Sequence, residues 1–500
     1  MNRISPTWSW ILRAVAVFGL VAIASAQNQQ TRCETWIDRA DENPRMDLKL
    51  GEHKASKSMF VQGFMTVPEN RAIEDGRDIR IHFIVIPALA DKPLPDPIFI
   101  LHGGPGAPAT AHFPGQLTSW LREQRDVVLI DQRGTGSSNK LQVPMPGSND
   151  DLQGYFNSYF QPSIYQKALP DLQAKADLSQ YTTNHAVDDF NQIRDALGFE
   201  KINLRGGSYG SRAALVYMRR YPETIRSATL QGIAPIAYLN PLPHARDSQK
   251  AMDLIFEEIR TTPRYKKAFG DLESKFNQTL TRLEEQPAAV TISHPTTGAD
   301  ETITLTRDAF AEAVVLQLYS TSGNRQLPRM LLSAHAEDYR ALAESSMAFH
   351  RGVHGMIAFG MLFCVTASED IPRIKPEQIE IACANTFLGS TRLRERMAVA
   401  KIWPVIPEPP SFAEPVDVDI PVLLVSGSHD PVTTPYWGEE AASHLPNSVH
   451  IILPGGHGVS GPELHKIERA FLENASVKNL DLSKIKKLRM PPLVMPARRN

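Results

Sequence analysis

Short, mostly apolar runs recur along the chain, and most end in small or charged residues. Pro97-Ile98-Phe99-Ile100-Leu101, residues 126–131, Lys201-Ile202-Asn203-Leu204-Arg205, residues 226–232, Pro421-Val422-Leu423-Leu424-Val425 and Val449-His450-Ile451-Ile452-Leu453 are of this kind. Such runs predict strands buried in a sheet. Between them, Ala186 to Leu197 and Ser211 to Arg220 carry apolar positions at helical spacing. Residues 58–92 alternate instead, with Asp75-Gly76 as the break, which predicts an antiparallel opening pair. Strands alternating with helices give an α/β fold with a doubly wound, mostly parallel sheet.

After Gly232-Ile233-Ala234-Pro235 the pattern changes. Residues 236–410 read as successive helices with one hairpin, Val290 to Thr306, turning at Thr297-Gly298. The sheet pattern resumes at Pro421, behind the proline-rich return that starts at Pro404. An insertion at that point of the strand order is placed to roof the strand ends as a mainly helical cap. The expected organisation is therefore a core in two parts, 27–235 and 411–476, interrupted by a cap at 236–410 and followed by a basic tail at 477–500.

Residues 1–26 read as a cleavable signal peptide. Arg3 and Arg13 precede the apolar run Ala14 to Ile23, and Ala24-Ser25-Ala26 fits an A-x-A cleavage site. The run is too short to span a bilayer, and an anchor extended over Trp8 to Leu12 would bury Arg13. The protein is thus expected to be secreted or periplasmic, with no stable membrane partner. A net charge of -2 gives no reason to invoke nucleic acid. Lys484, Lys486, Lys487, Arg489, Arg498 and Arg499 cluster at the end and read as a solvated or loosely packed tail. The fifteen histidines show no metal-ligand spacing, so neither a metal nor another cofactor is expected.

The chemistry sits at the strand ends. Gly206-Gly207-Ser208-Tyr209-Gly210 fits the G-x-S-x-G elbow, in which a strand turns sharply into a helix and presents a serine. His102-Gly103-Gly104-Pro105-Gly106 follows a buried run, and a glycine-rich turn there exposes backbone N–H groups to a developing oxyanion. Asp430 and His457 each follow a late apolar run, in the order serine, acid, histidine. Ser208 is then the nucleophile, His457 the base and Asp430 its orienter. The oxyanion donors are Tyr209 N–H and one from Gly103 or Gly104. Ser428 and Glu439 are the competing choices for the acid. His429 reads as a turn residue, His102 as structural, and Asp131 and Arg133 as braces for the loops.

With Asp131-Gln132-Arg133-Gly134-Thr135-Gly136-Ser137-Ser138 added, these motifs resemble the prolyl aminopeptidase and tripeptidyl aminopeptidase family of α/β-hydrolases. Val67-Pro68-Glu69-Asn70-Arg71 and Asp430-Pro431-Val432-Thr433-Thr434-Pro435 resemble its secreted, tripeptidyl branch. The likeness runs from about residue 60 to about residue 470 and favours Asp430 as the acid. It implies the α/β-hydrolase fold and a serine exopeptidase acting on peptide substrates near free N-termini, of either prolyl or tripeptidyl type.

A substrate ammonium needs a carboxylate partner once desolvated. Cys364-Val365-Thr366-Ala367-Ser368-Glu369-Asp370 resembles the family's cysteine-plus-acid segment, which makes Glu369 and Asp370 the candidates. Cys364 and Cys383 lie close together in the cap, and bridging them would stabilise by about 3 kcal/mol on the chain-entropy model. Relatives often carry a cysteine where this chain has Gln62-Gly63, so Cys33 lacks its usual partner and is expected either to be unpaired or to pair differently from the family. Two other functions compete. An esterase would share the triad without an amine site, and a silent member would only bind, against which the intact motifs speak.

Overall fold

The computed structural model describes residues 28–496; the segment read as a signal peptide lies outside the described residues. Nine strands form the main sheet in the order β1-β2-β3-β5-β4-β6-β7-β10-β11. These are β1 Met46–His53, β2 Ser58–Pro68, β3 Asp78–Ile86, β4 Ile98–Leu101, β5 Val127–Ile130, β6 Ile202–Gly207, β7 Ile225–Gln231, β10 Val422–Gly427 and β11 Ser448–Leu453. β1, β2, β3 and β5 pair antiparallel, and every pairing from β5 through β11 is parallel. The α/β, doubly wound expectation holds. β1 had no apolar run to announce it, because an edge strand buries only alternate residues such as Met46 and Leu48.

The central strands are apolar on both faces because helices cover both. Val422 to Val425 are wholly buried, as are Val127 to Leu129. On one side α1 (Thr183–Ala196) and α2 (Tyr209–Arg220) pack their buried faces, Val187, Phe190 and Ile193 on α1 and Ala213 to Met218 on α2, into the same core as Phe99 and Leu204.

Between β7 and β10 the chain inserts helices and a small hairpin, β8 (Ala288–Ser293) with β9 (Asp300–Leu305). Among the inserted helices are α3 (His244–Thr261), α4 (Arg307–Tyr319), α5 (Phe359–Val365) and α6 (Thr391–Ile402). The insertion has its own core, in which Ile255, Phe256, Phe276, Phe310 and Val314 meet. α5 is different: Phe359 to Val365 belong to the core of the main sheet.

This division overturns the expected disulfide. Cys33, Cys364 and Cys383 are all free thiols. Cys364 rides on α5 in the sheet's core and accepts a hydrogen bond from Trp403 Nε1 at 3.4 Å, while Cys383 packs in the core of the insertion. Closeness in sequence did not put the two sulfurs on the same face. The basic tail also departs from a loosely solvated segment: Ile485 is buried against Leu423 and Ile451, and Leu493 packs in the insertion's core with its N–H donated to Tyr265 Oη at 3.0 Å.

Arg133, in the loop after β5, is fully buried and braced to α1. Its Nε and Nη2 donate to the two carboxylate oxygens of Asp189 at 2.7 and 2.8 Å, and its Nη1 to the carbonyls of Glu69 and Gln180. Asp131 likewise accepts from Thr110 and from Ser137 N–H. Removing one partner of a buried pair leaves an uncompensated charge. Asp189→Asn is therefore expected to lower unfolding stability by about 3–5 kcal/mol. Urea unfolding followed by tryptophan fluorescence measures it; an unchanged midpoint would refute the brace.

Candidate active site

Ser208 leaves β6 and opens α2 with φ 54° and ψ -128°. A non-glycine residue in that region stores about 1–3 kcal/mol of strain, which surrounding structure must hold in place. The tight turn explains two of its glycines. A Cβ on Gly206 would stand 2.3 Å from the Gly210 carbonyl oxygen, and one on Gly210 would stand 2.2 Å from that of Leu101. Gly207 faces open space and has no such requirement.

The loop after β4 passes beside this serine. A Cβ on Gly103 would lie 2.9 Å from Ser208 Cβ and 3.4 Å from its Oγ. Only bare backbone fits there. Tyr209, in the first turn of α2, has no intrahelical acceptor for its N–H. Gly103, Gly104, Ser208, Tyr209 and His457 line one cavity of about 880 Å³. The structure thus brings the serine, the base candidate and all three donor candidates together.

Asp430 follows β10 and is buried, and its carboxylate accepts four hydrogen bonds. Val432 N–H and Thr433 N–H reach Oδ1 at 2.9 Å each, while Thr433 Oγ1 and His457 Nδ1–H reach Oδ2 at 2.8 Å each. The carboxylate fixes the imidazole so that Nε2 is left for other work. Burial pushes the His457 pKa down, but the charge and hydrogen bond of Asp430 outweigh it and hold the pKa above the ordinary histidine value. Neither Ser428 nor Glu439 takes this place: Ser428 Oγ bonds His429 instead. The insertion secures His457 from the other side. Tyr319 at the end of α4 accepts the His457 backbone N–H at 2.8 Å and sets its ring 5.4 Å from the imidazole.

His102 stacks on His112 with ring centroids 4.3 Å apart, and their Nε2 atoms hydrogen-bond. Burial and the neighbouring His112 push the His102 pKa down to about 4, so it stays neutral and shapes the loop.

The two acids proposed for amine binding part company. Glu369 accepts from Thr183 N–H at 2.7 Å and from Thr183 Oγ1 at 2.9 Å, and Thr183 Oγ1 accepts in turn from Tyr209 Oη at 2.7 Å. Burial pushes the Glu369 pKa up to about 8, with the adjacent Asp370 adding to the rise and the Arg212 charge opposing it. Through Thr183, Glu369 braces Tyr209, the residue after Ser208, and it is not part of the cavity wall. Asp370 does line the cavity. Its Oδ1 accepts from Arg212 Nη1 at 2.8 Å, while its Oδ2 is buried without a hydrogen-bond partner among the described residues.

Sequence reasoning missed Arg212, Tyr319, His244, Arg392 and Arg396, all on the cavity wall. Arg212 sits four residues past Ser208, one helical turn along α2, a spacing that was available but carries no motif. Arg392 and Arg396 are i, i+4 on α6 and share a face, whereas Arg394 between them is exposed and pairs with Glu380 at 2.9 Å.

A family model described as alpha/beta hydrolase fold matches residues 96–461. A protein of Escherichia coli (strain K12) named as a hydrolase, YuaR, is 25% identical over 378 residues, covering 71% of this chain and 73% of its own. The serine protease Hip1 of Mycobacterium tuberculosis (strain ATCC 25618 / H37Rv) is 24% identical over 461 residues, 83% of each chain. A proline iminopeptidase of Neisseria gonorrhoeae is 29% identical over 137 residues, 27% of this chain and 32% of its own.

The opposed effects on His457 make a test that needs no substrate. In the wild type its imidazole is expected to titrate above the ordinary value of about 6.5. In Asp430→Asn only burial remains, which disfavours the charged form, so the pKa falls below that value. NMR titration of the imidazole carbons reads both; an unmoved pKa would refute the assignment of Asp430 as its partner.

Proposed function

Because the chain belongs to the α/β-hydrolase family, we propose that it is an exported serine exopeptidase of prolyl or tripeptidyl aminopeptidase type, acting on peptides through Ser208, His457 and Asp430. One observation carries the chemistry: the Asp430–His457 hydrogen bond stands on the same cavity as the strained Ser208. Ser208 Oγ attacks the scissile carbonyl carbon as His457 Nε2 takes its proton. The oxyanion is met by Tyr209 N–H and an N–H of Gly103 or Gly104. Collapse expels the amine, which takes the proton from His457. Water, deprotonated by the same imidazole, then releases the acyl group from the serine.

The peptidase reading draws support from the names of two relatives, a serine protease and a proline iminopeptidase. It also draws support from Asp370 Oδ2, a carboxylate oxygen in the cavity wall without a partner, suited to a substrate ammonium. A cavity roofed by an insertion favours chain ends over the middle of a polypeptide.

An acyl-ester hydrolase is the second reading, and a specific feature favours it. Asp370 already shares its charge with Arg212 and with Arg373 at 3.5 Å, and Glu369 lies 3.7 Å from Arg212. That leaves little net negative charge for an amine.

Ser208→Ala is expected to reduce turnover by roughly 10⁴–10⁶-fold; near-normal turnover would displace Ser208 as nucleophile. The base acts when neutral, so kcat/KM is expected to fall as pH drops through the raised His457 pKa, above about 6.5. A profile flat down to pH 4 would remove His457 from that role. Comparing a free with an N-acetylated chromogenic peptide separates the two readings. The wild type is expected to prefer the free amine, and Asp370→Asn to shrink that preference by roughly 30-fold, since loss of a desolvated charge partner is worth about 2–5 kcal/mol. Equal rates on both peptides in the wild type would favour the esterase.

A further inference from the structure

Beyond the triad, the cavity wall holds a buried cation for which the mechanism has no use. Arg396, on α6, is only 2% exposed. Its Nε and Nη2 are buried and bond nothing. The guanidinium lies over the Phe160 ring, 5.1 Å from its centroid, and makes no hydrogen bond or ion pair among the described residues. Burial and the like charge of Arg392 push its pKa down to about 10, so at neutral pH the charge remains. Arginine presents its donors as a planar fork that matches a carboxylate.

The nearby acids are committed elsewhere. Glu312 takes the Nη1 of Arg392 with both oxygens, at 2.7 and 2.6 Å, leaving Arg392 Nε buried and unpartnered. Glu395 accepts from Ser158 Oγ, and Asp370 Oδ1 is held by Arg212. Asp370 and Tyr238 are near enough to Arg396 to favour its charge, yet neither bonds it. The site is also close to the chemistry. His244, which lines the cavity with its Nδ1 unpartnered, feels the charges of Arg392, Arg396 and His457 together. Tyr319 stacks edge-on against His457 and feels both arginines.

We propose that Arg396, flanked by Arg392 and His244, is a carboxylate-binding subsite, so that the substrates preferred by this enzyme carry a carboxylate near the scissile bond. The proposal rests on the hydrolase reading of the same cavity and adds a substrate class to it. The carboxylate comes from an acidic side chain or from the free C-terminus of a short peptide, and the guanidinium recognises both alike. Asp370 Oδ2 and Arg396 would then grip an ammonium and a carboxylate in one cavity.

Two matched pairs of free-amine peptides test it. One pair differs by glutamate against glutamine and carries C-terminal amides; the other is neutral and differs by a free against an amidated C-terminus. In the wild type, kcat/KM is expected to favour the charged member of at least one pair by about tenfold or more, the worth of a charge-assisted fork. The pair that responds identifies the source of the carboxylate. In Arg396→Gln that ratio is expected to fall to near unity, and Arg396→Lys to restore part of it. No preference in either wild-type pair, or a preference that survives Arg396→Gln, would overturn the subsite. The wild-type comparison decides even if the glutamine variant does not fold. Labelling by a fluorophosphonate keeps the two readings apart. A labelled enzyme without charge preference sinks the subsite alone, whereas an unlabelled one sinks the hydrolase. In that second case calorimetry with Ser208→Ala and the same peptides still reads the subsite: tighter binding of a charged member supports it, and equal binding refutes it.

Discussion

The parallel register of β4, β6, β7, β10 and β11 is the constraint on which this molecule depends. Each pairing runs in the same direction, so the carboxyl ends of β4, β6, β10 and β11 open onto one edge. The loops that leave that edge carry Gly103, Ser208, Asp430 and His457 in turn. Open α/β sheets bind ligands there because the loops diverge and backbone N–H groups point outward. Residues far apart in the chain therefore converge with no direct contact needed to gather them.

A second layer of order comes from the insertion. Its helices bury their own core, yet polar contacts also tie it to the loops that carry Ser208, Asp430 and His457. Tyr319 holds the backbone of His457, Glu369 braces Thr183 and through it Tyr209, and Arg212 from the sheet side pairs with Asp370. These buried charges and hydrogen bonds fix how the roof sits over the strained serine. Charged groups in such a place also tune what enters. The cavity wall pairs most of its acids with arginines and leaves one guanidinium without an acceptor, so the roof selects by charge as well as by shape.

Much of the sheet and of the candidate site was legible in the chain. Buried strands must be apolar on both faces, so β4, β5 and β10 announced themselves, and β11 did so by an apolar run although it lies at the sheet edge. The serine turn needs glycine at 206 and 210 because carbonyl oxygens stand where a Cβ would go, and a steric demand that local leaves a local signature. Asp430 and His457 were found by strand ends and order, both of which are sequential properties. β1 escaped because an edge strand hides half of its side chains only, and the buried tail escaped because scattered apolar residues such as Ile485 and Leu493 form no run.

What the sequence by itself determined is the α/β sheet, the place of the insertion and the candidate residues at the strand ends, since each leaves a local pattern in the chain. Tertiary structure alone decided which faces meet. It sent Cys364 to the sheet's core and Cys383 to the insertion's, and it turned Glu369 toward Thr183 while Asp370 met the cavity. It also set Arg396 on the same cavity wall as Tyr319 and His244, with no hydrogen bond or ion pair among the described residues. Adjacent residues on a helix point about 100° apart, and which of them finds a partner depends on a surface that the chain builds elsewhere.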